Sequence, residues 1–250
     1  MTTIGFLGTG HLAELLVRGL AGAGYRLILS PRNSAVAARL AAAHGCEVAA
    51  SNQAVVDAAD GVIVCLPAAT GAGVLAGFAF RPDQPVLSAM AGTSLSRLQS
   101  AIGPARGAVT MLPGYANAYR VGPSIQYPED GFWHGVLAKL GPVFPFSDEA
   151  QFTAAATFGA FSGASFGWIA HIIGWFEAQG LPPETARALV AATLRGNAEV
   201  LLREDRSLHD VTRSVVTKGG ISEVVLKSLF SGNGLSAWDE GLDAVLRRIR

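Results

Sequence analysis

The chain has 250 residues, 50% hydrophobic and only 15% charged, and its 19 basic and 19 acidic side chains give a formal net charge of zero. That is ample apolar material for one large domain or two modest ones and too little charge for a disordered chain. A balanced charge also speaks against a nucleic-acid or anionic-membrane partner, because phosphate binding needs many Lys and Arg on one face.

The first apolar run is Thr3–Leu7, and it leads directly into Gly8-Thr9-Gly10-His11-Leu12-Ala13. Leu12, Leu15, Leu16, Leu20 and Ala21 then recur at helical spacing, so the glycine motif sits between a strand and a helix. This is the setting that the dinucleotide fingerprint requires. Gly8 permits the tight turn, Gly10 lets backbone approach a pyrophosphate, and Ala13 lets the helix pack closely on the strand. The helix start supplies free N–H groups and partial positive charge to the phosphates. Gly8, Thr9, Gly10, His11 and Leu12 are therefore the expected phosphate contacts.

The second run, Arg26–Ser30, ends in Ser30-Pro31-Arg32-Asn33-Ser34. An NAD-selective site carries Asp or Glu here to hold the ribose 2′-hydroxyl. This segment has no acid and one guanidinium, which suits a 2′-phosphate. NADP(H) is thus the expected cofactor, with Ser30, Arg32 and Asn33 around its ribose phosphate. Val36, Leu40 and Ala43 mark the next helix, and Gly45 is a plausible stop for it. Further apolar runs follow at Gly61–Leu66, Pro85–Ala89 and Gly107–Leu112, while Ser124–Tyr127 and Pro142–Phe146 are two further candidate strands. Strands alternating with helices predict a parallel sheet of the Rossmann type. Ligands bind beyond the carboxyl ends of such strands, which adds Leu66, Pro67, Ala91 and Gly92, with Asn52 as a reach toward the ADP-ribose.

From about Asp148 strand signals give way to helical periodicity. Candidate helices cover Phe158–Gln179, a segment opened by Pro182-Pro183-Glu184 and continuing to Leu202, Leu208–Val216, Ile221–Phe230 and Leu235–Ile249. The expected division is a Rossmann domain at 1–148 and an all-helical domain at 149–250. Phe158–Gln179 is so apolar that it reads as a buried helix needing cover on nearly all sides, and dimerisation through the helical half follows as an expectation. Gly, Ser and His interrupt its apolar stretch, which argues against a transmembrane helix.

No basic leader precedes the first strand. Cys46 and Cys65 lie in apolar surroundings without a CxxC pair and read as reduced core residues, so a cytoplasmic protein is expected. The five histidines are scattered without metal-ligand spacing, so no metal is expected.

The whole chain resembles the pyrroline-5-carboxylate reductase family. Ile4-Gly5-Phe6-Leu7-Gly8-Thr9-Gly10-His11-Leu12-Ala13-Glu14 is similar to that family's first strand and glycine loop, and Ser88-Ala89-Met90-Ala91-Gly92-Thr93-Ser94-Leu95 to its fourth-strand segment. Leu112-Pro113 resembles its Met-Pro turn, Phe161-Ser162-Gly163-Ala164-Ser165 a Ser-Gly-Ser-Gly helix start, and Gly180-Leu181-Pro182 a helix junction. Thr217-Lys218-Gly219-Gly220-Ile221-Ser222 resembles the family's Thr-Ser-Pro-Gly-Gly-Thr-Thr loop with one residue fewer. The resemblance implies a Rossmann domain with a helical dimerisation domain, assembled as a homodimer or higher oligomer. It also implies hydride transfer from NADPH to a cyclic imine, with pyrroline-5-carboxylate or a related imino acid as substrate. The substrate carboxylate would be held by Lys218, Gly219, Gly220 and Ser222, and Ser222 keeps a hydroxyl where the family has a substrate-bonding Thr.

The departures cluster near the expected substrate pocket. Leu112-Pro113-Gly114-Tyr115-Ala116 replaces Met-Pro-Asn-Thr-Pro, Leu66 stands where the family has Lys, Ser165-Phe166-Gly167-Trp168 replaces Gly-Pro-Ala-Tyr, Gly174 replaces a Glu, and Lys218 replaces Ser-Pro. A different or bulkier cyclic imine fits these changes. So does a competing reading, an NADPH-binding sensor or scaffold whose reductase site has decayed. A β-hydroxyacid dehydrogenase is disfavoured, because Phe158–Ile173 lacks the Lys and Asn that such enzymes carry there. Three residues are candidates to position or donate the proton of imine reduction: Ser222 first, then Tyr115 in the altered turn and His171 in the apolar helix.

Overall fold

The computed structural model describes residues 1–249. They pack as two units, one formed by residues 1–159 and 246–249 and the other by 160–245.

The first unit alternates strands and helices in chain order: β1 (Thr3–Leu7), α1 (His11–Leu20), β2 (Arg26–Leu29), α2 (Ser34–His44), β3 (Glu47–Val48), α3 (Asn52–Ala58), β4 (Gly61–Val64), α4 (Ala68–Leu75), β5 (Pro85–Ser88), α5 (Leu95–Ile102), β6 (Arg106–Met111), α6 (Tyr115–Ala118), β7 (Ser124–Tyr127), α7 (Gly131–Leu137), β8 (Val143–Pro145) and α8 (Glu149–Ala155). The eight strands form one sheet in the order β3-β2-β1-β4-β5-β6-β7-β8. The expected strands are all present. The sequence reading missed β3, whose two exposed residues make no apolar run.

Pairing is parallel except between β6 and β7, where Val109 faces Tyr127 and Met111 faces Ile125 in antiparallel register. A parallel return needs a helix long enough to cross a sheet face. The link between β6 and β7 carries only the four-residue α6, so the chain turns straight back.

Both sheet faces are covered, which is why the strands read as nearly continuous apolar runs. Ile4, Phe6, Leu29, Ile63 and Leu87 meet Leu16 and Leu20 of α1, Leu40 of α2 and Trp133 of α7 on one face. Leu7, Ile28, Val62, Val64 and Val86 meet Val55 of α3, Leu98 of α5 and Phe152 of α8 on the other. Phe152 and Ala156 thus bury into the sheet unit, and the packing boundary lies at Gly159, one helix beyond the boundary expected at 148.

A surface clamp holds α1 in place. Arg120 adopts a left-handed φ of 63°, and its guanidinium donates to the carbonyls of Gly19 (2.9 Å) and Ala21 (2.5 Å) at the end of α1. We expect Arg120→Ala to lower unfolding free energy by about 1–2 kcal/mol. Arg120→Gly loses the same bonds but relieves the left-handed strain, so it should cost less. Urea unfolding of the two variants side by side checks the order.

The second unit spans α9 (Phe158–Ala178), α10 (Pro183–Arg203), α11 (Leu208–Val215), α12 (Ile221–Ser231) and α13 (Ser236–Ile249), with the ends of α9 and α13 belonging to the sheet unit. Its helices match the expected set, but the expectation that α9 is a buried helix fails within one chain. No residue of α9 is buried, and Phe166 and Trp175 are more than half exposed. Only Ala186 and Val190 of α10 are buried among the residues of this unit. A few helices enclose too little volume to hide so apolar a set, and Phe230 and Ile221 stay exposed with the rest. No helix among the described residues is long and apolar enough to cross a membrane.

Candidate functional site

β1 delivers the chain to Gly8, whose φ of 95° only glycine takes easily. A Cβ there would lie 2.6 Å from the Cys65 carbonyl oxygen at the end of β4. The Gly8 amide donates to the Ser30 hydroxyl (3.0 Å), itself buried at the end of β2. The turn is therefore pinned between the two strands that flank β1. Gly10 precedes α1 in ordinary extended geometry, and no side chain caps the helix. A Cβ on Gly10 would meet nothing within 4 Å, so its open side faces free space. Uncapped first-turn amides beside a hydrogen-sized side chain make a seat for a phosphate.

That seat forms one end of a cleft of about 590 Å³. Asn33 forms part of its wall, caps α2 by accepting from the Val36 amide (3.4 Å), and donates to the Thr9 carbonyl (3.4 Å). Arg32 lines the cleft, is exposed, and makes no ion pair or hydrogen bond among the described residues. Arg32 and the first residues of α2, Ser34 and Ala35, thus meet at one wall, a cation beside a second helix N-terminus. Leu66 and Pro67 also line it.

Of the expected cofactor residues, Gly8, Thr9, Gly10, His11, Leu12, Arg32, Asn33, Leu66 and Pro67 come together in this cleft. Four do not line it. Ser30 instead holds the glycine turn from below. Asn52 starts α3 with its side-chain oxygen buried and unpaired. Gly92, with φ 72°, lines a separate cavity, and Ala91 lines neither. The sequence reading missed Ser34, Ala35, Cys65 and Ala89, which do line the cleft. Ser34 and Ala35 were signalled by the helix start after Arg32. Burial pushes the Cys65 thiol up to about 12, so it stays protonated at neutral pH and is no nucleophile there.

The altered turn after β6 reaches this same region. Gly114 has φ 81°, and its amide donates to the side-chain oxygen of Asn117 (3.0 Å). The Asn117 amide group donates to the Gly122 carbonyl (2.9 Å), and the residue is fully buried. The turn thereby has its own asparagine scaffold three residues on, a compensation invisible in a residue-by-residue match. Tyr115 stands half-exposed on this scaffold, its ring centre 5.1 Å from that of His11 in an edge-on contact. Tyr115 is the one candidate for proton chemistry that the sheet unit brings to the glycine loop.

His171 and Ser222 lie in the helical unit and are both exposed. The loop expected to bind a carboxylate has satisfied part of itself. The Gly219 amide donates to Glu223 (2.8 Å), and the Gly220 amide donates to the Thr217 carbonyl (2.9 Å). The bond from the Gly219 amide, with Lys227 at 3.1 Å, holds the Glu223 carboxyl below its usual range. Two of the amides expected for an anion are therefore occupied in this conformation. Lys218 is exposed beside them, and α12 starts at Ile221 without a side-chain cap. Among the described residues no group of side chains has metal-site geometry.

Residues 3–92 match the family model described as NADP oxidoreductase, coenzyme F420-dependent, and residues 149–250 match that of pyrroline-5-carboxylate reductase dimerisation. The pyrroline-5-carboxylate reductase of Pseudomonas aeruginosa is 26% identical over an alignment covering 98% of this chain and 94% of that protein. The chain is thus similar along nearly its whole length to pyrroline-5-carboxylate reductases, and residues 149–250 match that family's dimerisation domain. The family's fold is matched throughout. A Streptococcus pyogenes 1-pyrroline-5-carboxylate reductase structure superposes with a TM-score of 0.88 at 21% identity, covering 99% of this chain and 97% of that one. The Plasmodium falciparum pyrroline carboxylate reductase, solved with NADP bound, gives 0.85 at 16% identity, covering 100% and 98%.

Proposed function

We propose that this protein is an NADPH-dependent reductase of the C=N bond of a cyclic imine, with pyrroline-5-carboxylate, reduced to proline, or a closely related imino acid as its substrate. The observation that carries this reading is the cleft itself. It joins an uncapped helix start at Gly10 to an unpaired Arg32 at the start of α2, which suits a pyrophosphate and a 2′-phosphate at the two ends of one ligand. The similarity to pyrroline-5-carboxylate reductases over nearly the whole chain supports the rest.

Gly8, Thr9, Gly10, His11 and Leu12 would cradle the pyrophosphate, and Arg32 with Asn33 the ribose phosphate. NADPH supplies the hydride for the imine carbon. The chain's own task is to orient the imine and keep a proton available to its nitrogen. Tyr115 is the candidate carried by the sheet unit, while Ser222 and His171 are candidates on helices. A substrate carboxylate suits Lys218 and the start of α12, where no side chain among the described residues caps the first amides. The exposed apolar side chains of α9 and α12, together with the family's dimerisation match, support assembly as a homodimer. The two unpaired cysteines suit the cytoplasm.

NADPH oxidation followed with pyrroline-5-carboxylate, pyrroline-2-carboxylate, piperideine-2-carboxylate and a carboxylate-free cyclic imine tests the proposal. Turnover of pyrroline-5-carboxylate with NADPH, and slower turnover with NADH, is expected. Binding of NADPH without turnover of any of the four would overturn it.

A further inference from the structure

We propose that the sheet unit carries a second ligand site, distinct from the glycine-loop cleft, that takes a small organic ammonium ion with an apolar body. The site is a cavity of about 410 Å³ on the sheet face covered by α5 and α8. Its floor is apolar, formed by Val109, Met111, Phe152 and Ile249. Its rim is polar, and the one charged residue on it among the described residues is Glu149, at the start of α8.

Glu149 determines what the cavity can accept. One of its oxygens takes the Leu95 amide of α5 (3.2 Å), and the other has no hydrogen bond or ion pair among the described residues. The neighbouring Arg97 amide is taken by the Ser94 hydroxyl (3.2 Å), which in turn lies 3.1 Å from the Ser96 hydroxyl. The start of α5 is thus already capped by a carboxylate and a hydroxyl, and an anion would meet repulsion there. A half-buried carboxylate with no ion pair among the described residues gains most from a positively charged guest. Ser94, Ser96 and Thr153 supply hydroxyl oxygens that can accept from the other N–H bonds of an ammonium group. The apolar floor then covers a small ring or alkyl body, and the volume lies within the range of small-molecule sites. A protonated amine is also the product class of C=N reduction. That last link rests on the reductase reading, whereas the binding test below does not.

Cyclopentylammonium, cyclopentanol and cyclopentanecarboxylate would be titrated into the full chain by calorimetry, with NADPH saturating. The expected result is saturable binding of cyclopentylammonium alone. Glu149→Gln keeps an acceptor for the Leu95 amide and should weaken ammonium binding at least tenfold while the NADPH Kd stays unchanged. Thr153→Leu, which fills the cavity without altering its charge, should do the same. Ammonium binding by either variant as tight as by the unaltered chain, displacement of the ammonium by NADPH, or no ammonium binding by the unaltered chain would each overturn the assignment.

Discussion

Gly10→Ala yields a protein that folds as before and no longer holds NADPH tightly. Gly10 sits in ordinary extended backbone, φ −88° and ψ −172°, which alanine adopts without strain. Its Cβ would contact no atom of the chain within 4 Å, so melting temperature should move by no more than a degree or two. The same empty space is where a pyrophosphate would approach the amides of α1, and a methyl group there keeps it at a distance. The expected rise in NADPH Kd is about 100-fold, or roughly 3 kcal/mol. Gly8→Ala makes the contrasting case. Its Cβ would press on the Cys65 carbonyl at 2.6 Å with φ at 95°, so the loss falls on stability, about 2–4 kcal/mol. Thermal unfolding and fluorescence titration of both variants separate the roles. Tight NADPH binding by the Gly10 variant would remove the glycine loop from the cofactor site.

Replacing Arg32 should change which nicotinamide cofactor is used. The guanidinium lies on the cleft wall beside Ser34 and Ala35 at the start of α2 and has no partner on the chain among the described residues. A charged hydrogen bond to a phosphate contributes about 1.5–3 kcal/mol. Arg32→Ala should therefore raise the NADPH Kd by roughly 10- to 100-fold and leave NADH binding unchanged. Arg32→Asp goes further, because a carboxylate repels the 2′-phosphate and can accept from a free ribose 2′-hydroxyl. NADH should then bind better than NADPH. The preference of the unaltered protein should also shrink with added salt, since an exposed ion pair is screened. Unchanged discrimination in the alanine variant would move the 2′-phosphate elsewhere.

Much of this site was readable from local pattern. A strand, a glycine turn and a helix in eighteen residues confine Gly8 and Gly10 to one geometry, and the absence of acid near Arg32 is a fact of composition. What escaped the reading depends on partners distant in sequence. Ser30 looks like a ribose contact until its hydroxyl is seen to accept from the Gly8 amide, 22 positions earlier. Asn117 has no motif around it, yet its side chain holds the turn by accepting from the Gly114 amide and donating to the Gly122 carbonyl. Gly219 and Gly220 read as free anion donors because sequence does not reveal that Glu223 and Thr217 occupy their amides first. The short β3 has too few residues for any periodicity to register. In the helical half, the apolar helices were legible but their exposure was not, because hydrophobic periodicity reports a need for cover without naming its source.

That exposure has a thermodynamic consequence. The sheet unit owns an interior, from Ile4 and Phe6 to Trp133, whereas the helical unit has little beyond Ala186 and Val190. In the proposed dimer this face would be covered, and the order of residues 160–245 would then obey mass action, strengthening as protein concentration rises and failing on dilution, while the sheet keeps a stability of its own.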